Sequence, residues 1–565
     1  MPSTGPSLFV MEFGLTAVIA WLAAAFPRAG SRGFRCVERW FGRLARRQGL
    51  SVAVVGATVL GLRLLLLPVQ PLPQPFVHDE FSYLLAADTF ASGRLTNPTH
   101  PMWVHFESFH ISHVPTYMSM YFPGQGLVMA FGKVVFGRPW FGVWLSAGLM
   151  CSAICWMLQA WLPPGWALLG GMLAAIRLGL FSYWMNSYWG GALAALGGAL
   201  VLGALPRLLR RCRLRDTAWM GVGLAILANT RPYEGLLLAI PVAVRLVLWI
   251  ASKTRPPVPV LLGRFVIPMF MLGGALVGAM AFYNSRVFLN PFTLPYQINR
   301  AQYGVARLFP WQPPSPEPAY RHEVMRDFYT SLEVKIMEAS RTPAGFAEKT
   351  GQKILLGAFF VLGFALVVPL VFLPRVVRDR RIRFLVWTVC FVGVGLSLNA
   401  WLFPHYIAPS ICALYALLLQ AMRHLRVCRS GRGPVGLALT RALVCTTVLL
   451  LGLRAFAAPL GIAIPRLPFM WYGTAPLGLD RADVLRQLEA RPGRQLAIVR
   501  YAPGHSSLDD WVYNSADIDR SKVVWARDMG SAQNEELIRY FKDRAVWLVE
   551  PDKIPARISP YVDLR

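Results

Sequence analysis

Asp79 and Glu80 stand side by side behind His78 in the stretch PFVHDEFSYLLAADTFASGRL, Pro75 to Leu95, which follows an apolar run. Adjacent carboxylates at the point where a chain leaves a membrane have two uses. They can cap a helix, because unpaired N–H groups and the helix dipole favour negative charge in its first turn. One of them can instead take the proton of an attacking hydroxyl. The apolar spacing after Glu80 predicts a helix that ends at Gly93, carries Asp88 and Ser92 on a polar side, and lies on the membrane surface.

Five of the nine histidines (78, 100, 105, 110 and 113) fall in the same loop. His105 with Glu107, and His110 with His113, have spacings compatible with a divalent metal, while a polar loop facing substrate explains the clustering equally. No other cofactor has a motif. In NTRPYEG, Asn229 to Gly235, Arg231 precedes a proline that opens the next helix, with Tyr233 and Glu234 beside it. A guanidinium there suits bidentate phosphate binding, or serves as an interfacial anchor. NAWLFPHYIAP puts His405 and Tyr406 in a tight turn, and YWMNSYWGG puts Asn186 in another.

The elements that must carry these residues are membrane helices. Of 565 residues, 55% are hydrophobic and 15% charged, and apolar runs of about 20 residues recur along the chain as about twelve expected crossings. Formal charge is +28, but the arginines cluster between apolar runs, so the charge reads as positive-inside bias and not as nucleic-acid binding. Clusters at Arg28 to Arg47, Arg207 to Arg215, Lys253 to Arg255, Arg375 to Arg383 and Arg423 to Arg432 all become cytoplasmic if Gly124 to Phe136 does not cross. The first apolar run has no basic residue before it and a basic cluster after it, which predicts a retained helix instead of a cleaved signal. Eight cysteines form no disulfide or zinc pattern.

Three segments then gather on the outer face: loops 71–139 and 285–353, and everything after Pro459. The last reads as a small α/β domain, with helices at RADVLRQLEA and NEELIRYFKD, strands at QLAIVRY, KVVWARD and AVWLVE, and no phosphate-binding glycine loop. The organisation expected is an extra N-terminal helix and basic loop (1–49), a membrane catalytic domain (50–459) and an extracytoplasmic α/β domain (460–565).

With the acidic pair in HDEFSYLLAADTFASGRL, then YFPGQGLVMAFG, TRPYEG and PHYIAP, the chain resembles the GT-C fold glycosyltransferases, in particular the protein O-mannosyltransferase and lipid A aminoarabinose transferase group. The resemblance implies a plasma-membrane enzyme that moves a hexosyl or pentosyl unit from a polyprenyl-phosphate donor to a hydroxyl of a lipid, glycan or protein, at the extracytoplasmic face. It assigns the catalytic carboxylate to Asp79, with Glu80 beside it. Direct displacement of the phosphate would invert the sugar. Asn186 stands where relatives often have a second aspartate. The alternative from another class is a transporter or flippase for a lipid-linked or anionic solute, which would place ionisable residues near the bilayer midplane.

Overall fold

The computed structural model describes residues 6–431, 433–465, 469–473 and 476–561; Arg432, the last residue of one basic cluster, lies outside them. The chain is a mainly helical, multi-pass membrane protein with a small C-terminal sheet. Among the described residues, seven helices are long and apolar enough to cross a bilayer, or eight if the pair Pro343–Val361 and Gly363–Arg378, bent by 109°, is one span. The first ten helices in chain order are α1 (Leu8–Ala25), α2 (Ser31–Arg46), α3 (Gln48–Leu65), α4 (His78–Ala91), α5 (Pro123–Phe136), α6 (Trp140–Trp161), α7 (Pro164–Leu178), α8 (Ala192–Arg211), α9 (Leu214–Ala228) and α10 (Pro232–Ala251). The run that should not cross is α5, 14 residues long, about 21 Å and too short for about 30 Å of hydrocarbon.

Helices pack closely where side chains are absent. A Cβ on Gly197 would meet the Gly223 carbonyl of α9 at 3.0 Å, and one on Gly198 would meet the Pro409 carbonyl at 1.8 Å. Small residues on α8 therefore let the turn at 404–410 approach the helix backbone, the usual device for helix contact in lipid. α1 joins the bundle through a buried ion pair, Arg177 Nη1 to Glu12 Oε1 at 3.2 Å, with Trp471 Nε1 donating to Glu12 Oε2 at 2.9 Å. A paired charge is the form in which apolar surroundings tolerate ionised groups.

Helix α4 forms where the spacing predicts it and stops at Gly93, whose φ of 72° lies in the left-handed region that glycine adopts freely. It does not lie on a membrane surface. His78, Phe81, Ser82, Tyr83, Leu85, Ala86, Ala87 and Thr89 are all buried, because α5 packs along one side, with Gly126 against Ala86, and the C-terminal sheet covers another. The apolar spacing was right, but it answered to protein neighbours on several sides, not to lipid on one.

The C-terminal sheet has the order β4-β3-β5-β6, from β3 (Arg494–Val499), β4 (Val523–Arg527), β5 (Arg544–Glu550) and β6 (Arg557–Pro560). The first three strands are parallel and β6 is antiparallel on β5. Helices Leu479–Glu489 and Ser531–Tyr540 accompany them. The expected helices and strands all form; β6 was not anticipated, since RISP has neither length nor alternation. A two-stranded ladder, β1 (Ile111–Ser112) with β2 (Met118–Ser119), stiffens the loop between α4 and α5.

The close approach at Gly198 yields a test. Gly198→Ala forces the Pro409 backbone away from α8 and should cost about 1–3 kcal/mol, read as a lower melting temperature of the purified protein. An unchanged melting temperature would contradict the packing described.

Candidate functional site

Two carboxylates begin α4, and the structure gives them different surroundings. Val77 is the N-cap and Glu80 the third helical residue. Glu80 Oε2 accepts from the backbone N–H groups of Phe76 at 2.9 Å and Val77 at 3.1 Å, and Oε1 accepts from Tyr188 N–H at 2.8 Å. Both oxygens are thus occupied, and Glu80 is buried. Burial pushes its carboxyl up to about 7, against the lowering effect of the three N–H groups.

Asp79 points the other way. Its side chain retains 19% exposure, and it accepts a hydrogen bond from the Tyr121 hydroxyl. His110 Nδ1 lies 3.6 Å from Asp79 Oδ2 and 3.1 Å from Tyr121 Oη. With the Tyr121 proton directed to Asp79, the hydroxyl can accept from His110 Nδ1–H. Burial disfavours ionisation of Asp79, but His110 and the Tyr121 hydroxyl outweigh it and hold the carboxyl well below the usual range.

His110 has a φ of 59°, unusual for a residue with a side chain. Its carbonyl accepts from Ser82 Oγ at 2.6 Å and Met120 N–H at 3.1 Å. These bonds from α4 and the strand beside it hold the strained backbone, a cost that proteins tolerate at working sites.

Around Asp79 stands a wall of tyrosines. Tyr83, one turn along α4, stacks on Tyr121 at 4.6 Å, and Tyr296 from the helix Pro295–Tyr303 meets Tyr121 edge-on at 5.6 Å. Burial raises all three phenols, Tyr83 to about 12, so they stay protonated as donors. Arg231, N-cap of α10, lies over the Tyr406 ring at 4.9 Å. Its charge bears on Tyr83, Tyr296 and Tyr406, while that of Asp79 bears on Tyr83, Tyr406 and His405. Asp79, Arg231, His405 and Tyr406 therefore share one neighbourhood. Among the described residues no carboxylate lies within ion-pairing distance of Arg231; Glu234, buried one turn along α10, is its nearest compensation in charge. His405 is buried, with Nδ1 3.0 Å from Tyr183 Oη. Burial first, and Arg231 second, hold its imidazole neutral.

Other expected binding residues are engaged elsewhere. Asn186 Oδ1 accepts from Arg63 Nε at 3.1 Å, and its amide donates to the carbonyls of Leu180 at 2.8 Å and Ser182 at 3.0 Å. Both donors and one acceptor site of the amide go to folding the 179–191 turn over a buried arginine. Tyr233 donates to the Gly395 carbonyl at 2.7 Å, which ties α10 to the helix Arg383–Ser397. His78 is buried against Phe109, with ring centroids 4.2 Å apart.

The histidines of the first loop do not converge as a metal cage. Glu107 receives Tyr303 Oη at 2.7 Å and Arg321 Nη1 at 3.2 Å, with His322 Nε2 3.3 Å away. His105 faces the Arg527 carbonyl, and His113 stacks on Tyr117 at 5.0 Å. Among the described residues no three histidine, cysteine or acidic side chains are arranged to hold a metal ion, so these residues do not fit one. Sequence spacing missed the tyrosines. Tyr83 had a signal, four residues from Asp79 on one helical face, and Tyr121 opens the stretch YFPGQGLVMAFG; Tyr296 had none.

No protein-family profile matches the chain, and no curated protein sequence matches it. Among solved structures, it is similar to the Archaeoglobus fulgidus oligosaccharyltransferase tethered to an acceptor peptide, with 11% identity over 90% of this chain and 69% of that one and a TM-score of 0.47. It is also similar to ArnT from Cupriavidus metallidurans bound to undecaprenyl phosphate, with 14% identity over 91% and 96% of the two chains and a TM-score of 0.42.

The buried Glu80 carries a pH signature. Its folded value of about 7 stands above the ordinary 4.5, so the folded state holds the proton more tightly and stability falls as pH rises from about 4.5 to 7. Glu80→Gln should flatten the melting profile over that window. A variant with the same slope as the parent would rule out Glu80 as its source.

Proposed function

We propose that the chain is a membrane glycosyltransferase that moves a sugar from a polyprenyl-phosphate donor to a hydroxyl acceptor at the extracytoplasmic face of the plasma membrane. One juxtaposition carries the reading: an ionised, partly exposed carboxylate, Asp79, in the same tyrosine-lined neighbourhood as a guanidinium without a carboxylate partner, Arg231. The first suits an attacking hydroxyl and the second a departing phosphate. Both sit at helix N-terminal ends, Asp79 on α4 and Arg231 on α10, where a lipid-anchored phosphate would be held at the membrane surface.

In this mechanism the acceptor hydroxyl donates to Asp79 and its oxygen attacks the anomeric carbon. The bond to the phosphate oxygen breaks, and the polyprenyl phosphate departs with the electron pair. A carboxylate held this low is a weak base, so Asp79 orients the hydroxyl and takes its proton late, once the attacking oxygen has become acidic. Arg231, with protonated Tyr83 and Tyr406, compensates the charge growing on the phosphate. Attack opposite the leaving group inverts the sugar. Glu80, Asn186, Tyr233 and His78 act as positioning residues, since their polar groups or rings are already committed to the fold.

The orientation follows from the basic clusters, with the 50–459 region as catalytic domain and 460–565 as its extracytoplasmic cover. A total of about twelve crossings requires the shorter helices α7, α9, Arg383–Ser397 and Ile411–Arg426 to serve as crossings where protein, not lipid, surrounds their ends.

Transfer of radiolabel from polyprenyl-phosphate sugars to a membrane extract tests the reading. Asp79→Asn should lower transfer by about 10²–10⁴-fold with the fold intact, and Arg231→Ala should lose more than Arg231→Lys, which keeps charge but not the fork. Transfer by Asp79→Asn at the parent rate would sink the assignment. Labelled donor that crosses the bilayer with its sugar still attached would favour a flippase. Tyr121→Phe removes a donor to Asp79 and so raises its pKa; the acid limb of the rate profile should move to higher pH.

A further inference from the structure

The helix α2 is unlike any other in the chain. Its sequence, SRGFRCVERWFGRLAR, has no acid in its first turn and one in total, Glu38, against five arginines. At 100° per residue its side chains divide into three sectors. Phe34, Glu38, Phe41 and Ala45 share one, and it is the packed one: Ala45 is buried and the other three are half-buried. Arg441 donates to both oxygens of Glu38, Nε at 3.0 Å and Nη2 at 2.9 Å, and its guanidinium lies over the Phe34 ring at 5.0 Å. α3 and α7 complete the contact.

Among the described residues the other two sectors are largely uncovered, apart from Leu44, which packs against the core. Val37 and Trp40 are 65% and 71% exposed, with half-buried Leu44 beside them. On the far side Arg32, Arg35, Arg39, Arg43 and Arg46 are all exposed, and an open groove of about 720 Å³ is lined by Arg35, Arg39, Arg43 and Arg46 together with Gly42 and the edge of Glu38. None of these arginines forms an ion pair among the described residues, since the single carboxylate on the helix is turned inward to Arg441 and Arg426. Glu38 thus fixes how the helix is rolled, and that roll leaves an apolar stripe and a basic stripe exposed together.

The place of α2 in the chain decides what can cover it. The helix links α1 and α3, both long and apolar enough to cross a bilayer, and at 16 residues it is about 24 Å long. A connector of that length between two crossings runs along one face of the membrane. The other end of α3 reaches Asn186 and Pro71 through Arg63, so α2 lies at the face opposite Asp79. An exposed tryptophan and valine next to a run of unpaired arginines, held at that depth, match the boundary between acyl chains and charged headgroups.

We infer that α2 is an anionic-lipid binding element: Val37 and Trp40 enter the acyl boundary of the leaflet opposite the candidate active site, and Arg35, Arg39, Arg43 and Arg46 bind headgroup phosphates. A soluble acidic partner would account for the arginines but would leave the adjoining apolar stripe in water.

The test uses the full-length protein reconstituted into neutral phosphatidylcholine vesicles and into vesicles that also contain phosphatidylglycerol. Amide exchange over residues 31–46 should slow about tenfold or more in the anionic vesicles, an effect reversed by high salt. The triple variant Arg35→Gln, Arg39→Gln, Arg43→Gln should lose the difference, the corresponding lysine variant should keep most of it, and exchange elsewhere should stay at parent rates as the check on folding. Equal exchange in both vesicles overturns the inference, as does protection that survives the glutamine substitutions. Protection that appears only when an acidic polypeptide is added to neutral vesicles would assign the face to a soluble partner and overturn it too. Because the readout is exchange and not sugar transfer, failure here leaves the proposed activity untouched, and failure of that activity leaves α2 unaffected.

Discussion

The three backbone N–H groups on Glu80 are the constraint from which the candidate site is built. They come from two segments, Phe76 and Val77 before α4 and Tyr188 in the 179–191 turn, and hydrogen bonds to a charged group are worth about 1.5–3 kcal/mol each. One carboxylate therefore fixes the entry to α4 and docks a distant turn against it. Its neighbour in sequence is rotated about 100° around the helix and is left facing Tyr121 and His110. Two identical functional groups, adjacent in the chain, acquire opposite roles because a helix turns between them.

The C-terminal sheet shields this arrangement from water. Tyr513 stacks on Phe81 at 4.1 Å, Ser108 Oγ donates to the Val512 carbonyl at 2.6 Å, and Asp88 accepts from Ala516 N–H at 2.8 Å. At the centre Arg527 and Asp510 pair at 2.8 Å with almost no exposure, and Arg527 Nε reaches the Glu107 carbonyl at 2.7 Å. Removing one partner of such a pair typically costs about 3–5 kcal/mol, because the other charge is left buried and alone. The sheet is thus joined to the loop that carries His110 by a contact that cannot slide, and a low-dielectric surrounding strengthens every charge interaction on Asp79.

The membrane imposes a complementary rule. Within lipid each backbone polar group must be satisfied by the chain itself, so irregular segments survive only where protein encloses them. The turn at 404–410 meets that rule by lying against Gly198 of α8, and the turn at 179–191 packs on it in turn, as in the Tyr183–His405 contact. The turn at 404–410 also carries Tyr406, whose ring faces the Arg231 guanidinium at 4.9 Å.

Much of this was legible in residue order. Composition and run length determine a polytopic helical protein; arginine clusters between apolar runs indicate an orientation; alternation and helical spacing identify the strands β3, β4 and β5 and their helices; HDEFSY marks where a carboxylate meets the surface. These signals are local, set by the chemistry of residues within a turn or two of each other. What only the tertiary structure decided is long-range: that Asp79 and not Glu80 faces the tyrosines, that Asn186 serves Arg63, that among the described residues the clustered histidines form no three-ligand set, and that α4 is roofed by residues more than 400 positions away. Spacing in sequence records which residues share a face of one element. It carries no information about which other element will cover that face, and every one of those outcomes turned on that choice.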